Sequence, residues 1–388
     1  MRILKTFILR NSRCNGGRNC SISPLIIIVL IFMLFPQTIG LCQESNSEYY
    51  HDGPYIFWET DTSATVFYLC DEELKKESIP VSETLRFVGF CSDTSSDYVI
   101  AADSPQIQPD IFDDVSKIMA ISDIHGEYDL FEDILIKGGA IDNELNWIWG
   151  DGHLVIVGDV FDRGAMVTEC LWLIYRLESE ARKFGGAVHY ILGNHEMMVL
   201  RGDNRYVHEK YLEGIVKKSR IKHEDLYSPD MELGRWLRSK HLVVIINDIV
   251  FVHGGLSRFV IDRGLTTQQI NDKIRIVIDQ SSARLAFDDF SRFLLGSKGP
   301  LWYRGYHYEM EGKYSMETSE DIDKILVYFN ADAIVVGHTE ADSLMAHFNN
   351  RIFSIDIPMD ELGSLEALFW ENGVFYRIDY RGNKKRLK

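Results

Sequence analysis

What this sequence has little of already narrows its chemistry. Six cysteines occur in 388 residues, and none has the CxxC spacing of a structural zinc site. Three of them, Cys14, Cys20 and Cys42, lie in or beside the first forty residues. Of the others only Cys70 and Cys91 are near neighbours, which leaves two readings open: one disulfide closing a loop between strands, or two free buried thiols. The apolar run from Leu25 to Phe35 falls short of the about 20 residues that a membrane-spanning helix requires. Positive charge is scarce too, with 41 Lys and Arg against 58 Asp and Glu and a net charge of −17. A surface of that sign repels nucleic acid, and an anionic ligand has to be drawn by positive charge confined to one place. Internal repeats and low-complexity tracts are missing as well. The 46% hydrophobic and 12% aromatic content supplies a full core, which excludes disorder as the main state.

The first forty residues stand apart from the rest. They hold Arg2, Lys5, Arg10, Arg13 and Arg18 with no acid, then PLIIIVLIFMLF, then the small residues of TIGLC. That order reads as an export signal over residues 1–40, cleaved near Gly40 or Cys42. An uncleaved N-terminal membrane anchor is the alternative, while Leu41 sits where a lipoprotein at Cys42 needs a small residue. The expected location is the bacterial periplasm or the extracellular medium, with no membrane span left after cleavage.

Residues 41–112 read as a small β-rich accessory unit of short extended segments such as GPYIFWE, SATVFYLC and TLRFVGFC, ending in the linker PQIQPDIFDD. Residues 113–388 have an α/β texture. Apolar runs without strict alternation (KIMAIS, HLVIVG, AVHYILG, DAIVVGH and RIFSIDI) suit strands buried on both faces by helices or a second layer. MVTECLWLIYRLESEARKF repeats apolar residues at helical spacing before Gly185-Gly186, which makes a strand, helix, strand unit. Hairpins are predicted at Asn247-Asp248 and Asn372-Gly373. The stretches 206–240 and 261–330 read as charged, mostly helical insertions.

Those runs end in polar groups that offer lone pairs: SDIHG, VGDVFDRG, LGNHE, FVHGG and VGHTE. Loops at the carboxyl ends of strands converge on one crevice in α/β sheets. If these runs share a sheet, Asp123, His125, Asp159, Asn194, His253 and His338 meet there. Oxygen and imidazole ligands without sulfur suit Mn, Fe or Zn, and six donors suit two ions bridged by a carboxylate. Arg163 and Arg304 bring planar forks that match a phosphoryl group. Taken singly each residue has a bland reading, a cap for Asp123 or a core histidine for His253; five such strand ends together point to a dimetal centre. His153 and His189 have no partner motif and are read as structural.

In this order the motifs resemble the signature of the calcineurin-like metallophosphoesterases in the form used by the phosphoprotein phosphatase superfamily, over about residues 115–357. DGPYIF, MMVLRGDNRYVHEKY, GRWLRSK and GPLWYRGY add a resemblance to the Shewanella-like phosphatases, a bacterial-type branch that includes tyrosine-preferring enzymes. The SAPNY segment of the eukaryotic serine/threonine enzymes has no counterpart, which sets that branch aside. The resemblance implies a β-sandwich of mixed sheets flanked by helices. It implies the six ligands named above with Asp159 as bridge, His195 as the general acid oriented by Asp162, and Arg163 and Arg304 on the phosphate. Attack on a phosphomonoester by a metal-bridging hydroxide follows, with a phosphoprotein or small phosphomonoester as substrate. The cysteine-dependent tyrosine phosphatase route is set aside. The rivals are a phosphodiesterase or dinucleoside polyphosphate hydrolase on the same metals, and a binding module that has lost catalysis.

Overall fold

The computed structural model describes residues 51–81, 84–88, 97–101, 105–358 and 366–387. The segment read as an export signal, its expected cleavage site and Cys91 lie outside them. Cys70 is disulfide-bonded, and Cys170 is free and buried. Among the described residues no helix is long and apolar enough to cross a membrane.

The chain begins with an antiparallel sheet of β1 (Asp52–Thr60), β2 (Ser63–Cys70) and β3 (Glu73–Pro80), followed by the paired strands β4 (Thr84–Val88) and β5 (Asp97–Ala101). Twelve further strands build two six-stranded sheets. They are β6 (Ile111–Phe112), β7 (Lys117–Ile121), β8 (His153–Ile156), β9 (Ala187–Tyr190), β10 (Val243–Ile246) and β11 (Ile249–Val252). Then come β12 (Ala333–Val336), β13 (Met345–His347), β14 (Ile352–Ser354), β15 (Glu366–Glu371), β16 (Val374–Asp379) and β17 (Lys384–Arg386). One sheet has the order β17-β16-β15-β7-β8-β9 and the other β13-β14-β12-β11-β10-β6, both mixed.

Central strands lack alternation because both faces are covered. Ile118, Ala120 and Val155 of one sheet meet Val244, Ile246, Phe251, Val335 and Phe353 of the other in the interior of the sandwich. Met119, Ile121, Leu154 and Ile156 belong to a second core with Phe131, Ile134, Leu171 and Ile174 of the helices Tyr128–Lys137 and Val167–Lys183. The longer helix joins β8 to the parallel β9 and gives way to Gly185 at φ 80°. Both predicted hairpins form, with Asn247 and Asp248 at φ 49° and 59° and Asn372 and Gly373 at φ 50° and 82°, the left-handed pairs that tight hairpins require.

One segment departs from expectation. Ile111 and Phe112, read as linker, pair in parallel with Ile245 and Ile246 and so join the second sheet. Two apolar residues between acids suffice for this, because the open edge of β10 supplies their hydrogen bonds. The N-terminal sheet is tied to the helices as well: Trp58 Nε1 donates to Glu232 at 2.6 Å, Trp172 Nε1 to the Pro54 carbonyl at 3.0 Å, and Thr168 Oγ1 to Asp52 at 2.9 Å.

His153 and His189 form a buried pair with 3.0 Å between Nε2 of His189 and Nδ1 of His153, covered by the Phe112 ring. Burial disfavours charge on both, bringing His153 down to about 4 and His189 well below the usual range; Asp151 opposes this for His153, while His153, His241 and Lys240 add to it for His189. The unfolded chain therefore binds protons near pH 6.5 that the native pair refuses. Stability present above pH 6.5 is lost as pH falls toward 4, by about 2 kcal/mol at pH 5 for His153, with a further loss from His189 in the same direction. Urea unfolding at pH 7 and pH 5 should show this loss, and His189→Gln, which keeps a donor but does not titrate, should reduce it. An unchanged difference between the two pH values would refute the assignment.

Candidate active site

β7 and β8 run parallel with Ile121 opposite Ile156, so the residues beyond their ends emerge side by side. Backbone bonds continue the register into the loops: Asp123 N–H donates to the Gly158 carbonyl at 3.1 Å and His125 N–H to the Asp159 carbonyl at 3.0 Å. The second sheet closes on them from the end of β12, where His338 N–H donates to Asp123 Oδ2 at 3.0 Å. All six predicted ligands, Asp123, His125, Asp159, Asn194, His253 and His338, are buried in this one place.

Two groups of ligand atoms, His125–Asp159–His195 and Asp159–His253–His338, each lie within 4.8 Å of one another and share Asp159. Asp123 Oδ1 lies 4.0 Å from His125 Nε2, and Asn194 Oδ1 lies 2.9 Å from His253 Nε2. His195, expected only as an acid, also stands at ligand distance. His125 Nδ1 donates to the Phe161 carbonyl at 2.7 Å and His253 Nδ1 to the Val157 carbonyl at 2.8 Å, which fixes both tautomers and turns each Nε2 toward the cluster. His253 Nε2 then faces Asp159 Oδ2 at 3.1 Å as well as the Asn194 oxygen. A carboxylate oxygen and an amide oxygen thus converge on one ring nitrogen, a meeting that either a proton on His253 or a cation among the three satisfies, and the buried His338 Nε2 has no hydrogen-bond partner among the described residues. The donor set fits divalent metal ions.

Burial would raise the Asp159 carboxyl, but the His253, His195 and His125 rings around it bring it far below the usual range. Asp123 is pushed up to about 6 by burial, against the pull of His253. His125 falls to about 4 through burial, whereas His253, despite burial, is carried up to about 10 by Asp159 and Asp123. His195 Nδ1 donates to Asp162 Oδ2 at 2.6 Å, and although burial opposes it, that bond and the charges of Asp159 and Asp162 raise the ring above its ordinary value.

The predicted arginines flank the cluster. Arg304 Nη2 lies 3.4 Å from His338 Nδ1, and Arg163 Nη1 lies 3.4 Å from Glu340 in an exposed ion pair. An exposed pair of that kind is worth little and is readily exchanged for a better anion. Tyr206 sets its ring 5.4 Å from that of His195, and Trp302 sets its own 5.5 Å from that of His338.

Two acids escaped the sequence reading. Glu196 accepts backbone N–H groups from Asp159, Val160, Phe161 and Gly193 at 2.9, 2.8, 3.3 and 2.6 Å, and the Tyr190 hydroxyl at 2.9 Å. Its only signal was its place in GNHE. Asp356, two residues past β14, is buried, and burial and the charge of Asp123 push its carboxyl up to about 9. RIFSIDI was read as a strand, and the strand-end rule applied to the other runs would have found this acid.

Backbone strain concentrates here. Asp123, His125, Asp159, Asp162, Arg163 and His338 all take positive φ, between 47° and 71°, at roughly 1–2 kcal/mol each. Gly337 and Gly193 allow the close approaches, since a Cβ would stand 1.9 Å from Ser122 Oγ at the first and 2.1 Å from Asp159 Oδ1 at the second.

Cys170 and Arg176 stand at the Cys-x5-Arg spacing of cysteine-dependent tyrosine phosphatases, so spacing alone does not exclude that route. The structure does. Both lie inside the helix Val167–Lys183, Cys170 is fully buried, and burial pushes its thiol far above the reactive range. Arg176 is engaged by the Leu145 carbonyl at 2.6 Å.

Comparison with known proteins agrees with this geometry. The calcineurin-like phosphoesterase family profile matches residues 116–341. Shewanella-like protein phosphatase 1 of Plasmodium berghei (strain Anka) is 32% identical over 246 residues, which cover 63% of this chain and 67% of that protein. Shewanella-like protein phosphatase 2 of Arabidopsis thaliana is 26% identical over 319 residues, 69% of this chain and 80% of that protein. Among solved structures, the cold-active protein-tyrosine phosphatase of a psychrophile Shewanella sp. superposes with a TM-score of 0.80 at 38% identity, covering 87% of this chain and 99% of that one. A fold of two mixed sheets, paired His/Asp groups around one buried aspartate and a family match over most of the α/β region lead to one conclusion: this chain belongs to the calcineurin-like metallophosphoesterases, alongside the Shewanella-like protein phosphatases.

Proposed function

We propose that this phosphatase hydrolyses phosphomonoesters on proteins with a preference for phosphotyrosine, outside the cytoplasm, without a phosphoenzyme intermediate. The observation that carries the reading is the hydrogen-bonded His195–Asp162 pair set against two ligand groups that share Asp159. The tyrosine-phosphatase name of the Shewanella relative supports the substrate preference, and the disulfide at Cys70 together with the leader supports export.

Asp123, His125, Asp159, Asn194, His253 and His338 are the residues that would hold Mn, Fe or Zn ions, which when bound supply Lewis acidity toward phosphoryl oxygens and an activated water. The rest falls to the chain itself. Arg163 and Arg304 bind the non-bridging oxygens through their planar forks, Arg163 by leaving Glu340. Asp162 holds the His195 ring and favours its protonated form, which leaves the Nε2 proton for the departing oxygen. That proton matters more for a serine alkoxide than for a phenolate, which is the better leaving group. The Tyr206 and Trp302 rings, one beside each of two site histidines, offer apolar faces to an aryl phosphate.

Chelation, or Asp159→Asn, should abolish turnover; activity that survives a strong chelator would overturn the metal requirement. His195→Ala should keep its metal content while slowing phosphoserine hydrolysis by about a hundredfold or more, and aryl phosphate hydrolysis by clearly less. Equal losses on both substrates would remove His195 from the acid's role. In a panel of phosphotyrosine peptide, phosphoserine peptide, bis-aryl diester and dinucleoside polyphosphate, the first should turn over fastest. Tyr206→Ala should raise KM for the phosphotyrosine peptide, and faster diester hydrolysis would defeat the reading.

A further inference from the structure

A cavity of about 380 Å³ lies between the three-stranded sheet and the segment 219–231, and none of its lining residues belongs to the phosphate site. Phe57 pairs with Thr65, Phe67 with Lys76 and Leu69 with Leu74, so the side-chain alternation of strands puts Phe57, Thr65, Phe67, Leu74 and Lys76 on one face. Ile221 and Met231 complete the apolar lining, Met231 from its backbone bridge to Phe57. Phe57 and Leu74 stay 38% and 37% exposed although the cavity walls are mostly apolar, an arrangement suited to a side chain brought from outside.

The strand beside the cavity is itself open. β3 pairs with β2 along its whole length, and among the described residues no strand adds to its other side, which leaves a row of backbone donors and acceptors unused. Charge on that edge is uneven. Lys75 is paired with Glu73 and, nearby, Lys218 with Glu72, whereas Lys76, which faces the cavity, has no ion-pair partner among the described residues. Asp225 on the far wall disfavours a second acid there.

We propose that β3 and this cavity form a docking site for an extended segment of a partner protein. The segment adds as a fourth strand, places an apolar side chain past Leu74 into the cavity, and sets an acidic residue two positions away against Lys76. Main-chain hydrogen bonds hold it, and the alternate side chains select it. A small apolar ligand would use the cavity without the strand edge, and only an extended chain uses both. The site is independent of catalysis and does not rest on the proposed substrate preference.

The test is fluorescence anisotropy of the full chain with a labelled short peptide that alternates valine and threonine and carries one glutamate in the valine row. Saturable binding is expected, weakened about tenfold by Lys76→Glu, recovered when the peptide's glutamate becomes lysine, and lost in Leu74→Arg. Both variants should hydrolyse a small aryl phosphate at the unaltered rate, which shows that they fold. Absence of binding overturns the proposal, as does equal affinity of the unaltered chain and both variants. Equal binding of a peptide with contiguous valines, or uptake of an apolar dye with no peptide binding, does the same and reassigns the cavity to non-specific or small-ligand contact.

Discussion

The carboxylate of Glu196 is the interaction on which the shape of the site depends. Four backbone amides, three from the turn after β8 and one from Gly193, converge on its two oxygens. A backbone that curls around an internal anion in this way behaves as it would around a bound one. The turn carrying Asp159 and the helix that starts with Asn194 and His195 are therefore a single rigid piece. An amide side chain at 196 would bring a donor to face donors, and the piece would open. Burial and the nearby Asp159 raise the Glu196 carboxyl above its usual value, against the pull of the Asp159 amide, the His253 ring and the Tyr190 hydroxyl.

Rigidity of that kind is what makes the strained backbone tenable. Histidine and arginine gain nothing from the left-handed region, yet His125, Arg163 and His338 occupy it. Each is held by bonds that a relaxed loop would not make: His125 is pinned at its N–H by Asp159 and at its carbonyl by Gly164, and His338 by the carboxylate of Asp123. Two sheets packed on both faces supply the stability against which these local costs are set. The strand ends thus serve as fixed mounts, and side chains from five strand ends can be aimed at one point.

Much of this was legible because the constraint that builds the site also writes a pattern. A buried strand ending in Asp, His or Asn beside glycine is hard to explain by packing, so SDIHG, VGDVFDRG, LGNHE, FVHGG and VGHTE declared themselves, and the Asn-Gly and Asn-Asp turns fixed two hairpins. What stayed hidden lacked such a signature. Glu196 acts through backbone amides, which every residue carries, so its partners leave no trace in the sequence. Asp356 lies at the end of its run RIFSIDI as the other site residues lie at the ends of theirs, but without the neighbouring glycine that marks them. Ile111 and Phe112 became strand because an edge was open beside them, a fact of topology rather than of local composition. Cys170 and Arg176 carried a misleading spacing that only burial resolves.

The position of β15 has a consequence for synthesis. It lies antiparallel against β7, with Leu368 opposite Ala120, so the strand that delivers Asp123 and His125 gains one of its two neighbours only after residue 371 has been made. Until then β7 presents an open apolar edge, and its end cannot be held in place. A chain that emerges from its N-terminus onward thus carries its first motif, SDIHG, for some 250 residues before the sheet that aims it closes. This ordering means that the site is completed last, when the whole chain is present, rather than during translation.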